Sequence, residues 1–240
     1  MDVYWFEQFA TDVPDEDNWL SAAEVARMAN LRIAKRREDW RLGRWTAKRG
    51  VAAWLAMTST PQVLARIEIR PAPSGAPEVF VADEPGNLVI SLSHRDGRAA
   101  CAIAPSGVEM GCDLEIIEPH SAGFVSDYFT IEEQALVAHV PEADRPRVLA
   151  LLWSAKESAL KALRVGLRLD TRSVIVTPDS SFDRNSWSPL QVRCVDGRTF
   201  HGWWQHWDRT VRCLVSNPPP SAPIRLEESD WLYDRIHRCA

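Results

Sequence analysis

A lysine stands inside the apolar stripe of the strongest helix signal in the chain. Between residues 145 and 165, Leu149, Leu152, Trp153, Leu160 and Leu163 recur at helical spacing and line one face. Lys156 falls within that face, and Glu157 and Lys161, four residues apart, run along its flank. A cation on a core-facing stripe costs desolvation free energy unless it is paired or snorkels. Taken alone, the segment also fits an i,i+4 Glu–Lys pair worth about 0.2–0.5 kcal/mol with Lys156 snorkelling.

Around this helix the hydrophobic pattern alternates between helical and strand periods. Residues 21–57 read as helical, opened by a capping box of Ser21 and Glu24. Short strands are expected at 67–70 and 78–81, among prolines and glycines. Residues 87–94 alternate, with Leu88, Ile90 and Leu92 on one face, and 98–104 is the hairpin partner across Asp96-Gly97. A further strand covers 108–117, with Asp113 and Glu115 on one face and Cys112, Leu114 and Ile116 on the core side. Helices are expected at 124–139 and 145–165, and strands at 171–177, 191–195, 198–204 and 210–216. The order predicts an α+β fold in two halves: an N-terminal half over 1–106, a C-terminal half over 107–217 and a C-terminal extension over 218–240 that opens on three prolines.

With 45% hydrophobic and 25% charged residues the composition is that of a globular protein, which excludes a disordered chain. The net charge is −5, so a global nucleic-acid signature is absent. Charge is nevertheless segregated. Residues 1–24 hold seven acids and no base, whereas 32–49 hold eight bases and two acids. Arg forks in such a run suit a polyanionic ligand, and a solvated helix face is the plain alternative. Five cysteines without C-x-x-C spacing point to a reducing compartment. With no basic leader and no long apolar run, a cytoplasmic protein without membrane or nucleic-acid partners is expected.

Two further motifs carry chemistry. In Gly111-Cys112-Asp113-Leu114-Glu115 the two acids are two apart and share a strand face. Carboxylates so placed repel unless a cation lies between them, and oxygen-only ligands suit Mg²⁺. A solvated strand face is the alternative. Ser91-Leu92-Ser93-His94 ends a strand, where a turn histidine beside a capping serine is the ordinary reading.

The order of basic helix, S-H at a strand end, G-x-D-x-E, F-T-x-x-E at Phe129–Glu133 and W-x-x-K-E-x-x-x-K at Trp153–Lys161 resembles the 4′-phosphopantetheinyl transferase superfamily. The resemblance is to its longer monomeric class, which acts on peptide and polyketide synthase carrier domains. It spans about residues 30–180. It implies two similar α+β halves in a pseudo-twofold arrangement, with the active site in the cleft between them. The implied reaction moves the 4′-phosphopantetheine group of coenzyme A to a serine of an apo acyl, peptidyl or aryl carrier protein and releases 3′,5′-ADP.

The resemblance also assigns roles. Asp113, Glu115 and Glu157 correspond to Mg²⁺ ligands, with Mn²⁺ as an alternative metal. Glu157 is the expected proton acceptor, and Lys161 lies beside the pyrophosphate. Lys156 corresponds to a phosphate-contacting lysine. His94 with Ser93 corresponds to the 3′-phosphate contact, joined by Arg37, Arg44 and Lys48. Where the family often has G-K-P, this chain has Gly75-Ala76-Pro77, and Arg95 follows the S-H pair. Competing readings are a Mg²⁺-dependent phosphohydrolase or nuclease built on the same acids, and an inactive coenzyme A-binding module. Because no base lies between Phe124 and His139, carrier docking is expected to use apolar contacts from Phe124, Tyr128, Phe129, Leu136 or Val137.

Overall fold

The structure is a computed structural model that describes residues 1–179 and 186–226. The chain divides into two compact units. One comprises Val3–Gly107 with the chain from Ile224, the other Met1–Asp2 with Val108–Pro223.

In the first unit, β1 (Tyr4–Phe9) is followed by α1 (Ala22–Ala29), α2 (Ala34–Trp54) and the short α3 (Pro61–Leu64). Then come β2 (Ile67–Pro71), β3 (Pro77–Val81), β4 (Glu84–Pro85), β5 (Leu88–Arg95) and β6 (Arg98–Pro105). The helical region expected as one segment is thus two helices. Asn30 caps the end of α1, and Ile33, in extended backbone, starts α2. The alternating segments form the expected hairpin, β5 against β6, through Asp96 and Gly97, both with positive φ. β1, which the sequence pattern did not reveal, pairs antiparallel with the other edge of β6. Its far edge is covered by β12 (Ile224–Arg225), which runs parallel to it, so the extension after the prolines returns to the fold. Residues 227–240 of that extension lie outside the described residues. α2 lies on this sheet, where Gly50 approaches Phe6 and Ile103 closely, and β2, β3 and β4 make a separate small sheet.

In the second unit, β7 (Glu109–Ile116) leads to α4 (Ala122–Tyr128), α5 (Ile131–His139) and α6 (Arg145–Ala162). β8 (Val174–Pro178), β9 (Ser188–Cys194), β10 (Thr199–Trp207) and β11 (Thr210–Asn217) follow. The sheet order is β7-β11-β10-β9-β8, with α6 packed on it. The single helix expected over 124–139 is also two. Phe129 leaves helical geometry so that Thr130 can cap α5. Strand β7 is buried on both faces from Met110 to Leu114, so the face carrying Asp113 is not a solvated one. Gly111 explains the approach of α6 to this strand: a Cβ there would lie 1.8 Å from Ser158 O and 2.7 Å from Ala162 N.

The two units share a buried device. In the second, Thr130 and Glu133 form a capping box, with Glu133 N donating to Thr130 Oγ1 at 3.3 Å and Thr130 N to Glu133 Oε2 at 2.9 Å. Glu133 then pairs with Lys156 of α6 at 2.8 Å and accepts from Val176 N of β8 at 2.9 Å. In the first unit, Ser21 and Glu24 form the capping box, Glu24 pairs with Lys48 of α2, and its Oε1 accepts from Ile69 N of β2 at 3.2 Å. Each lysine stands over an aromatic ring just before its cap, Lys156 at 5.7 Å from Phe129 and Lys48 at 5.6 Å from Trp19. The helices carry the matching tetrapeptides Trp153-Ser154-Ala155-Lys156 and Trp45-Thr46-Ala47-Lys48.

Candidate active site

The close packing of α6 on Gly111 brings the helix over the acidic end of β7. Lys161 Nζ donates to Asp113 Oδ1 at 2.7 Å and to the Cys112 carbonyl at 3.0 Å. Asp113 is 4% exposed and stands opposite Cys213 of β11. Glu157, one helical turn before Lys161, is half-buried. Burial, then the neighbouring Asp113 charge, raises its carboxyl above the ordinary value, against the pull of Lys161. Burial lowers the Lys161 ammonium, but Asp113, Cys112 and Glu157 together outweigh it and leave the pKa raised. The result is two carboxylates and one ammonium sharing a partly dry site. Glu115 is half-buried on the same strand face as Asp113, opposite Val211. Among the described residues, no three His, Cys, Asp or Glu side chains converge as a group able to hold a metal.

The donor chemistry nevertheless suits a hard cation. Asp113 and Glu157 offer carboxylate oxygens, and the Asp113 charge lies near enough to raise the Glu157 carboxyl. Mg²⁺ is bound through one or two carboxylates plus substrate phosphates rather than by a full protein cage.

Two cations expected to touch phosphate have other duties. Lys156 is fully buried and spends its three N–H groups on Glu133, on Thr171 O at 2.9 Å and on Val174 O at 2.6 Å. Lys48 is likewise fully buried, paired with Glu24 and donating to Trp19 O at 3.0 Å. Burial lowers the pKa of both against the opposing pull of their glutamates. In this structure the desolvation cost of the stripe lysine is met by a buried carboxylate and two carbonyls.

The other nucleotide-end residues vary in exposure. Arg44 is largely buried, 3.9 Å from Glu24 Oε1 and over the Trp40 ring, and burial brings its pKa down to about 10. Arg37 is exposed and donates to Leu31 O at 3.1 Å. On β5, Ser93 is buried and His94 exposed. The pleat turns them to opposite faces, His94 in register with Ala99 and, through it, Gln8 of β1.

An aromatic group that the sequence analysis did not assemble lies one turn before Glu157 on α6. Trp153 meets Phe124 and Tyr128 edge-on at 5.1 Å and Phe129 at 6.4 Å, and His120 stacks on Phe124 at 4.3 Å. Phe129 and Val137, both considered for docking, are buried and unable to serve. Tyr128, Leu136 and Ile131 are exposed, Ile131 at 76%. Among the described residues, no helix is long and apolar enough to cross a membrane.

The chain is similar to known proteins. Residues 109–215, which include Asp113, Glu115, Glu157 and Lys161, match the family model of the 4′-phosphopantetheinyl transferase superfamily. The chain is also 26% identical over 197 residues to the 4′-phosphopantetheinyl transferase HetI of Nostoc sp. strain PCC 7120, covering 78% of this chain and 81% of the relative. With a family match that contains Asp113, Glu115, Glu157 and Lys161 and a similarity that extends over most of the sequence, the chain is similar to the 4′-phosphopantetheinyl transferase superfamily.

Proposed function

We propose that this protein transfers the 4′-phosphopantetheine group of coenzyme A to a serine hydroxyl of an apo carrier protein and releases 3′,5′-ADP. The observation that supports it most is the meeting of Asp113, Glu157 and Lys161 within the matched segment. The serine oxygen forms a bond to the phosphorus of the phosphopantetheine group, and the bond from that phosphorus to the bridging oxygen of the pyrophosphate breaks. The serine proton passes to Glu157, directly or through water. Its raised pKa makes it a better base than an ordinary exposed carboxylate. Lys161 lies where a cation stabilises charge developing on the leaving oxygen.

Asp113 and Glu157, with Glu115 as a third donor, are the residues that would hold Mg²⁺ or Mn²⁺. When bound, such an ion neutralises charge on the phosphate oxygens. The 3′-phosphate end of coenzyme A is assigned to His94, Arg44 and Arg37, the predicted contacts that are not consumed in the buried Glu24–Lys48 pair. Carrier docking is assigned to the exposed apolar residues Tyr128, Ile131 and Leu136 of α4 and α5. The test is mass spectrometry of a panel of apo acyl, peptidyl and aryl carrier domains after incubation with coenzyme A and Mg²⁺. A mass gain of one phosphopantetheine on at least one carrier is expected. Hydrolysis of coenzyme A with no carrier modified would favour a phosphohydrolase.

A further inference from the structure

Lys161 and Lys156 sit on one helix but are held in opposite ways. Lys156 is 0% exposed and fixed by three acceptors, so it has no second position available. Lys161 is 28% exposed in its side chain and anchored only at its tip, on Asp113 and the Cys112 carbonyl. Its flexible four-carbon stem lets the ammonium move toward water. The charge it neutralises is the most buried one of the site, and an unpaired carboxylate at that depth is strongly disfavoured.

We propose that Lys161 is a displaceable counter-ion: its ammonium pairs with the Asp113 carboxylate and swings away when a divalent cation takes that carboxylate. This rests on the metal reading of Asp113 and Glu157 above. A Mg²⁺ ion binds oxygen at about 2.0–2.1 Å, and Lys161 Nζ already lies 2.7 Å from Asp113 Oδ1. An ion on either Asp113 oxygen would stand close to that ammonium, two charges of like sign in a largely buried place, and Lys161 is the cation with a path to water.

The experiment is lysine acetylation of the full-length protein by acetic anhydride, read by peptide mass spectrometry with and without Mg²⁺. Mn²⁺ binding is followed in parallel by electron paramagnetic resonance. Lys161 is expected to be protected without metal and to label about tenfold faster at saturating Mg²⁺, once its nitrogen no longer donates to Asp113 and the Cys112 carbonyl and reaches water. Lys156 and Lys48 should stay unlabelled in both states. Lys161→Met should bind Mn²⁺ about tenfold or more tightly than the wild type, since a competing like charge is removed. Unchanged Lys161 labelling while Mn²⁺ binds would overturn the proposal, as would equal or weaker Mn²⁺ binding by Lys161→Met. Absence of Mn²⁺ binding in both proteins would overturn it together with the metal assignment. The carrier assay is independent: modified carrier with metal-insensitive Lys161 labelling leaves the transferase reading standing and removes only this one.

Discussion

Replacing Lys156 by methionine separates a buried structural role from a ligand-binding one. The variant keeps the length and apolar stem of the side chain but removes the ammonium. It leaves Glu133 as a buried carboxylate without its cation and strips a donor from Thr171 O and Val174 O. Removing one partner of a buried ion pair costs about 3–5 kcal/mol. Each newly unsatisfied carbonyl pushes toward the upper end. For a chain of this size about 2–4 °C of melting temperature accompanies each kcal/mol, so a fall of about 6–20 °C is expected. Adding Glu133→Gln removes the stranded charge while leaving an amide that reaches Thr130 N or Val176 N, so the double variant should melt above Lys156→Met alone. Circular dichroism melts and coenzyme A calorimetry on the same samples provide the two readouts. A melting temperature within about 2 °C of wild type, with coenzyme A binding weakened, would refute the burial reasoning and return Lys156 to the phosphate.

Lys48→Met should lower the melting temperature by a similar amount, because Glu24 and Trp19 O lose the same kinds of contact. Asp113→Ala and Glu157→Ala should each abolish carrier modification with little change in far-UV circular dichroism; near wild-type turnover of Asp113→Ala at saturating Mg²⁺ would sink the metal role. Gly111→Ala should exceed the usual cost of about 1–3 kcal/mol for overpacking, since both clashing atoms are backbone of α6, and a soluble variant with unchanged melting would contradict the packing. His94→Ala and Arg44→Ala should weaken coenzyme A more than dephospho-coenzyme A, and equal losses in binding assays would remove them from the 3′-phosphate. Carrier KM should rise little with salt, because the residues assigned to docking are uncharged; a steep rise would place the carrier against arginines instead.

The strands were the most legible part of the fold. Alternation with Asp96-Gly97 marks β5 and β6 to within a residue at either end, and Asp113 and Glu115 sit on one strand face as their spacing requires. The helix breaks at 30–33 and 129–130 were not legible from apolar periodicity. Each is set by where a capping side chain must stand, and Thr130 reads in sequence as one more residue of a helix. Within the site, i,i+4 spacing placed Glu157 and Lys161 on one flank. Their meeting with Asp113 depends on α6 crossing β7 at Gly111, a tertiary contact that no local pattern encodes. Lys156 and Lys48 show the converse. Their place on an apolar face announced a buried charge, but the compensating acids, Glu133 and Glu24, lie more than twenty residues upstream. The signal that would have found them was present: both acids close capping boxes, and both lysines end the same W-[S/T]-A-K sequence.

That repeated device separates what the two units hold in common from what differs. Fixing a helix lysine to a capping-box glutamate ties the start of one helix, the middle of another and the central residue of a following strand into one unit. The next residue along each helix is then presented toward the first strand of its own unit. In the second unit that residue is Glu157, beside Asp113, with Lys161 a turn further on. In the first it is Arg49, whose Nη1 donates to Gln8 Oε1 at 3.1 Å, the same oxygen that accepts from Trp45 Nε1 at 3.2 Å. Ala53 stands a turn further on. One arrangement brings two carboxylates and an ammonium together. The other places a guanidinium against a neutral amide and can take no part in holding a cation. The proposed reaction therefore uses the residues next to the buried pairs rather than the pairs themselves. Substitutions at Lys48 or Lys156 should act through stability, whereas substitutions at Glu157 or Lys161 should act on the reaction.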